Sequence, residues 1–246
     1  MKKFLPIFLF LIGILAVAGV YFFVIKGKKE QPPTTSEESA LIEVPLGERP
    51  IVSLTPTSDG HFLNLKIEKI LASAASLDYE LLYPVAGGRV QGVPGSVPLT
   101  GQKEIERKLL LGSESSGKFR YDEGVEKGSL TIRFRNSQGK LMAKFSTDFT
   151  LESNTDTLAT LDGKLSAKLV KKEKAFFVVM ETFGIPENPP GDIISGPYGI
   201  FASSKVGTGA ELKSSAGKIH RAVSGGWTSE VSGAAFDIGI FVATSD

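Results

Sequence analysis

From Phe4 to Ile25 the chain carries no charged residue, and this run constrains everything that follows it. As an α-helix it would extend roughly 33 Å, enough to cross the hydrocarbon core of a bilayer. A helix satisfies its own backbone groups in lipid, so Gly13 and Gly19 are tolerable there. Pro6 lies in the first turn, where no intrahelical N–H is lost. Ala16-Val17-Ala18 resembles a peptidase site, and cleavage after Ala18 is the alternative reading. Cleavage there would leave Val20 to Ile25 exposed at a new terminus, so we expect an uncleaved single-pass anchor over residues 1–30. Lys2 and Lys3 on one side nearly balance Lys26, Lys28 and Lys29 on the other. A β-patterned, cysteine-free body suits export, which places the N-terminus in the cytoplasm and the body outside the cell membrane.

Residues 31–49 read as a linker. Gln31 to Ser39 contains Pro32-Pro33 and otherwise Gln, Thr, Ser and Glu, a composition that favours an extended, semi-stiff chain. The net charge of +1 over 246 residues argues against a general nucleic-acid binder. Without cysteine there is no disulfide framework, thiolate metal site or thiol nucleophile. His61 and His220 are the two histidines, too few for a three-histidine zinc site. No metal and no cofactor is expected.

Beyond Ile51 the hydrophobic period is two. Leu63, Leu65 and Ile67 alternate with polar residues, as do Leu77, Tyr79, Leu81 and Tyr83. Leu130, Ile132 and Phe134 share one face and Thr131, Arg133 and Arg135 the other. After the turn Asn136-Ser137-Gln138-Gly139, Leu141, Ala143 and Phe145 return on the inner face. Ile105 to Leu111 fits strand or helix. Asp162-Gly163 predicts a hairpin turn followed by Leu165, Ala167 and Leu169 on one face. Phe176 to Met180 is apolar on both faces and reads as a central strand covered on both sides. Phe236 to Ala243 reads as a closing strand. The expected fold is all-β: two tandem β-sandwich-like regions of immunoglobulin or fibronectin type, residues 50–152 and 155–246, separated by a break at Glu152–Asp156.

The stretch Leu109-Leu110-Leu111-Gly112-Ser113 through Phe119-Arg120-Tyr121-Asp122-Glu123-Gly124-Val125, running into Leu130–Phe134, resembles uncharacterised single-pass membrane-anchored β-domain proteins of small-genome candidate-phylum bacteria. The resemblance implies a bacterial cell-surface location and supplies no activity.

Gly112 to Lys118 has the spacing of a phosphate-binding loop, but Phe119 stands where a magnesium-binding hydroxyl is needed and no good helix follows. It reads as a hairpin loop, and neither nucleotide nor nucleic acid is an expected partner. Ser115-Ser116-Gly117-Lys118 and Ser215-Ala216-Gly217-Lys218 lack the partner motifs of penicillin-binding enzymes. His61 and His220 read as solvated surface histidines, and Lys171-Lys172-Glu173-Lys174 as a solvated hairpin tip. Two loops suit binding, with Tyr198 and Trp227 as aromatic anchors for an envelope protein or glycan. Burial of both rings at the core ends is the competing reading. The chain therefore reads as a non-catalytic surface-binding or envelope-assembly module. The alternatives are a cell-envelope hydrolase with a carboxylate pair and a subunit of a membrane complex.

Overall fold

A computed structural model describes residues 41, 43–207 and 209–245. The expected Phe4–Ile25 anchor and the expected linker as far as residue 40 lie outside the described residues. Among the described residues no helix is long and apolar enough to cross a membrane.

The body is all-β and antiparallel. β1 (Ile51–Pro56) and β2 (Phe62–Glu68) form a hairpin, β3 (Ser76–Pro84) and β4 (Val90–Pro98) another, and β5 (Glu104–Leu110) returns to pair with β2. β6 (Gly112–Ser115) and β7 (Lys118–Tyr121) form a short separate hairpin. β8 (Lys127–Arg135) pairs with β3 and with β9 (Leu141–Ala159), and β9 continues by a turn into β10 (Leu165–Glu181). β11 (Ile193–Ala202), β12 (Gly209–Ser214), β13 (Lys218–Val223), β14 (Gly226–Trp227) and β15 (Ile240–Thr244) complete the chain. A small sheet β1-β2-β5 faces a large one whose order is β14-β13-β15-β11-β10-β9-β8-β3-β4, with β12 added to β10.

The alternating residues sit where their period places them. Leu63, Leu65 and Ile67 from the small sheet meet Leu77, Leu81, Leu130, Ile132 and Phe134 from the large one in a first core. Ile105 and Leu109 are buried on β5, so the ambiguous stretch is a strand; its helical spacing loses to pairing with β2. Arg133 and Arg135 point outward to Glu80 and Asp78.

β9 and β10 shape the rest. Between the pairs Lys168–Thr157 and Glu173–Thr155, β10 takes five steps while β9 takes two. Such a bulge bends a hairpin sharply, and Asn154 adopts φ 54 beside it. The distal half of the hairpin folds back over the large sheet. Leu158, Leu165, Ala167 and Leu169 there pack on Phe177, Val179, Tyr198 and Ile200 in a second core. Val178 and Met180, on the other face of β10, belong to the first core. The strand that is apolar on both faces is covered on both faces.

Three expectations change here. The expected boundary at 152–155 falls inside β9, and Leu41–Asp246 forms one compact unit. The two β regions share strands, because β9 and β10 run through both cores. Lys171 to Lys174 lie within β10 at the bend, not at a hairpin tip.

The turns β1–β2 and β9–β10 are built alike, from Thr57-Ser58-Asp59-Gly60 and Thr160-Leu161-Asp162-Gly163. In each, the Thr N–H donates to the carbonyl five residues on, and the Asp Oδ1 accepts from the Thr hydroxyl and from the N–H two residues beyond it. Gly60 and Gly163 take φ 72 and 67, which glycine adopts freely.

Candidate functional site

The β6–β7 hairpin lies against the outer side of the small sheet and makes an aromatic ledge. Its two-residue turn is Ser116-Gly117, both at positive φ, as a tight hairpin turn requires. Across the ladder Gly112 faces Tyr121 and Glu114 faces Phe119, so those two rings project on one side. They lie 6.1 Å apart with planes 1° from parallel. The His61 ring stacks on Tyr121 at 3.8 Å, and Phe62 meets both Phe119 and Tyr121 edge-on at 6.2 Å. Lys108 Nζ caps the Phe62 ring at 4.1 Å from its centre. Phe119 remains 48% exposed and Tyr121 38%.

The base of the hairpin is fastened to the sandwich. Leu111 N–H donates to the His61 carbonyl, and the Asp122 N–H to the Leu111 carbonyl. The buried Tyr83 hydroxyl donates to Asp122 Oδ2 at 2.9 Å. Burial and that carboxylate together push the Tyr83 phenol well above its ordinary pKa.

Gly112 lets the two strands of the ledge approach closely. It sits at φ 153, and a Cβ there would stand 2.2 Å from the Arg120 carbonyl oxygen. Gly112→Ala is therefore expected to part β6 from β7 at a cost of about 1–3 kcal/mol. Hydrogen exchange at the Ser113 and Arg120 amides, which face each other across the ladder, should accelerate while β8 stays protected. Unchanged exchange in the hairpin would show that the close approach is not needed.

Beside the ledge opens a cleft of about 790 Å³ between the turn at Asp59–His61 and the segment Asp122–Lys127. Glu123, Glu126 and Glu152 line it together with Asp59 and Asp122. Hydrogen bonds from the Thr57 hydroxyl and the His61 N–H hold the Asp59 carboxyl below its usual range. Thr150 Oγ1, on the cleft wall, is a buried hydroxyl without a hydrogen-bond partner among the described residues. The described residues contain no group of three or more histidines and acids placed to hold a metal ion.

Tyr198 is not a loop anchor. It lies inside β11, 2% exposed, and its hydroxyl donates to Asp162 Oδ2 at 2.6 Å. The segment read as the loop carrying Tyr198 is a strand from Ile193 onward, because β11 pairs with both β10 and β15. Trp227, on β14, is half-buried, and its indole N–H donates to the Glu187 carbonyl at 2.9 Å. The two loops read as binding loops do meet, but the indole is spent joining them. His220 is buried on β13 with Nδ1 3.0 Å from the Thr228 carbonyl, whereas His61 is half-exposed under Tyr121.

No known family, curated protein or solved structure matches this chain. The signal that could have disclosed the ledge is Phe119-Arg120-Tyr121, two aromatics at strand spacing in an otherwise polar hairpin. Alternation alone does not say whether such a pair faces a core or solvent.

Proposed function

We propose that this protein is a membrane-tethered, extracytoplasmic, non-catalytic binding and assembly module, built on a fibronectin-like sandwich whose long strands β9 and β10 continue into a second core. Exposure of the Phe119–Tyr121 ledge carries the proposal. Two half-exposed rings, aligned by His61 and Phe62 and pinned at their base, form a preorganised apolar surface that loses little freedom on docking. The strand order supports the fold assignment: β1-β2-β5 faces β4-β3-β8-β9, three strands against four in the manner of such sandwiches. The β6–β7 ladder, with no helix after Lys118, supports a site that takes no nucleotide.

A hydrolase would need a free carboxylate pair. Glu181 and Asp162 line one hollow, and partial burial, then Asp162, pushes the Glu181 carboxyl upward. Asp162, however, is consumed by the Thr160 and Tyr198 hydroxyls and the Lys164 N–H, which favours binding over catalysis.

The test compares full-length protein with the Phe119→Ser/Tyr121→Ser variant for retention on envelopes of cells that produce it. Both rings are half-exposed and belong to neither core, so the variant keeps its circular dichroism. Loss of two anchor rings is expected to weaken retention at least about 10-fold. A folded variant that binds as well as the parent would overturn the ledge as the binding surface. Digestion of a carboxy-terminal tag by protease added to intact cells checks the topology; a protected tag would reverse it.

A further inference from the structure

We propose that copies of this protein assemble head to tail, the β6–β7 hairpin of one docking in a groove on the large sheet of the next. The inference rests on reading the ledge as a docking surface and names its partner: a second copy of this chain.

The groove exists because the β9–β10 hairpin folds back. Leu81, Leu130 and Phe149 face the first core, so their neighbours Leu82, Ser129 and Asp148 face outward on the opposite side of the large sheet. Leu161 and Asp162, at the folded-back tip, rise beside them as a wall. Two hollows, of about 480 and 410 Å³, meet at Asp148 and Leu161. The first is apolar: Val90 is 65% exposed, Leu161 61% and Leu82 36%. Scattered singly, such residues need no explanation, but three around one hollow form a patch. The second hollow is acidic, with Asp148, Asp162 and Glu181. Lys127 is the cation lining the apolar end, and Lys164 stands 3.6 Å from Asp162.

The hairpin is the complement of this groove. Phe119 and Tyr121 alternate with Lys118 and Arg120, and all four are exposed. Neither Lys118 nor Arg120 makes an ion pair among the described residues. The rings on one side of the hairpin match the aliphatic hollow, and the cations on its other side match the carboxylates of the adjoining acidic one. A cation brought to Glu181 also relieves its repulsion with Asp162 and Asp148.

Ledge and groove lie on opposite outer faces of the first sandwich. Two different patches that complement each other make a heterologous contact, which propagates instead of closing as a twofold dimer. A row of tethered copies is the natural product.

The test uses full-length protein in mild detergent, with size followed by sedimentation as concentration rises. The wild type is expected to form a growing series of species. Phe119→Ser removes a ledge and Leu161→Ser a groove wall, and each variant alone should stay monomeric with unchanged circular dichroism. An equimolar mixture of the two should give dimers and nothing larger, because one intact ledge still meets one intact groove. Growth of the Leu161→Ser variant alone would mean that ledges pair with ledges, and would overturn the proposal. So would a wild type that stays monomeric throughout. If it does, yet Phe119→Ser still abolishes envelope retention while Leu161→Ser does not, the ledge binds a different partner. The head-to-tail inference then fails and the binding module stands. If neither substitution affects retention or size, both readings fail.

Discussion

Phe134→Ala is expected to cost about 3–5 kcal/mol of stability, while Arg133→Ala beside it costs less than about 1 kcal/mol. Phe134 is fully buried on β8, in edge-to-face contact with Phe145, and its truncation leaves a cavity between the two sheets. Arg133 points to solvent and pairs with Glu80 at 3.3 Å, both side chains partly exposed, so its loss removes a screened surface pair. Urea denaturation followed by tryptophan fluorescence and by circular dichroism reads both variants. Equal losses would show that the inner and outer faces of β8 are assigned the wrong way round.

The next largest effect is expected at Asp162, which locks the folded-back hairpin to β11. Burial alone would raise its carboxyl, but hydrogen bonds from Thr160, Tyr198 and the Lys164 N–H outweigh that and hold it below its ordinary value of 3.8. Asp162→Ala removes these bonds and leaves the buried Tyr198 hydroxyl unpartnered, at a cost of about 2–3 kcal/mol. The sign of the pH dependence follows from the lowered pKa. The carboxylate's contribution is present above the unfolded value and is lost as pH falls through the folded one. The wild-type melting temperature should therefore drop as pH falls below about 4, and the variant, already lower at neutral pH, should drop less steeply. Parallel pH profiles for the two would show that Asp162 does not carry the acid sensitivity. Tyr198→Phe should reproduce part of the loss at neutral pH.

The aromatic residues that sequence reasoning singled out and those that form the ledge differ for an identifiable reason. Tyr198 lies amid glycine and proline, which suggests a loop, yet β10 and β15 flank the segment and hold it in a strand. Tyr83 and Tyr198 each end in a hydrogen bond to an aspartate near a hairpin, and neither aspartate is near its tyrosine in sequence. His220 between Lys218 and Arg221 has a polar setting along the chain and a buried one in space, because it pairs with Val242 of β15 and its ring meets the Thr228 carbonyl. The ledge brings His61 and Phe62 to Phe119 and Tyr121 across more than fifty residues, a distance over which no local pattern reports.

The inner faces of the alternating strands are legible in the sequence alone, whereas β11 and the β6–β7 ladder read there as loops. Leu63-x-Leu65-x-Ile67, Leu130-x-Ile132-x-Phe134 and, in the doubly apolar run, Phe177 to Met180 are buried as their period required. A strand's side chains alternate whatever it pairs with, so that information is local. The tertiary structure alone decided that β9 and β10 pass through both cores, that their hairpin folds back, and that the ledge and groove arise on opposite faces. Those outcomes depend on a register shift at the bend and on bonds such as Tyr198 to Asp162, joining residues far apart along the chain. Which distant groups meet is selected by the free energy of the whole packed body.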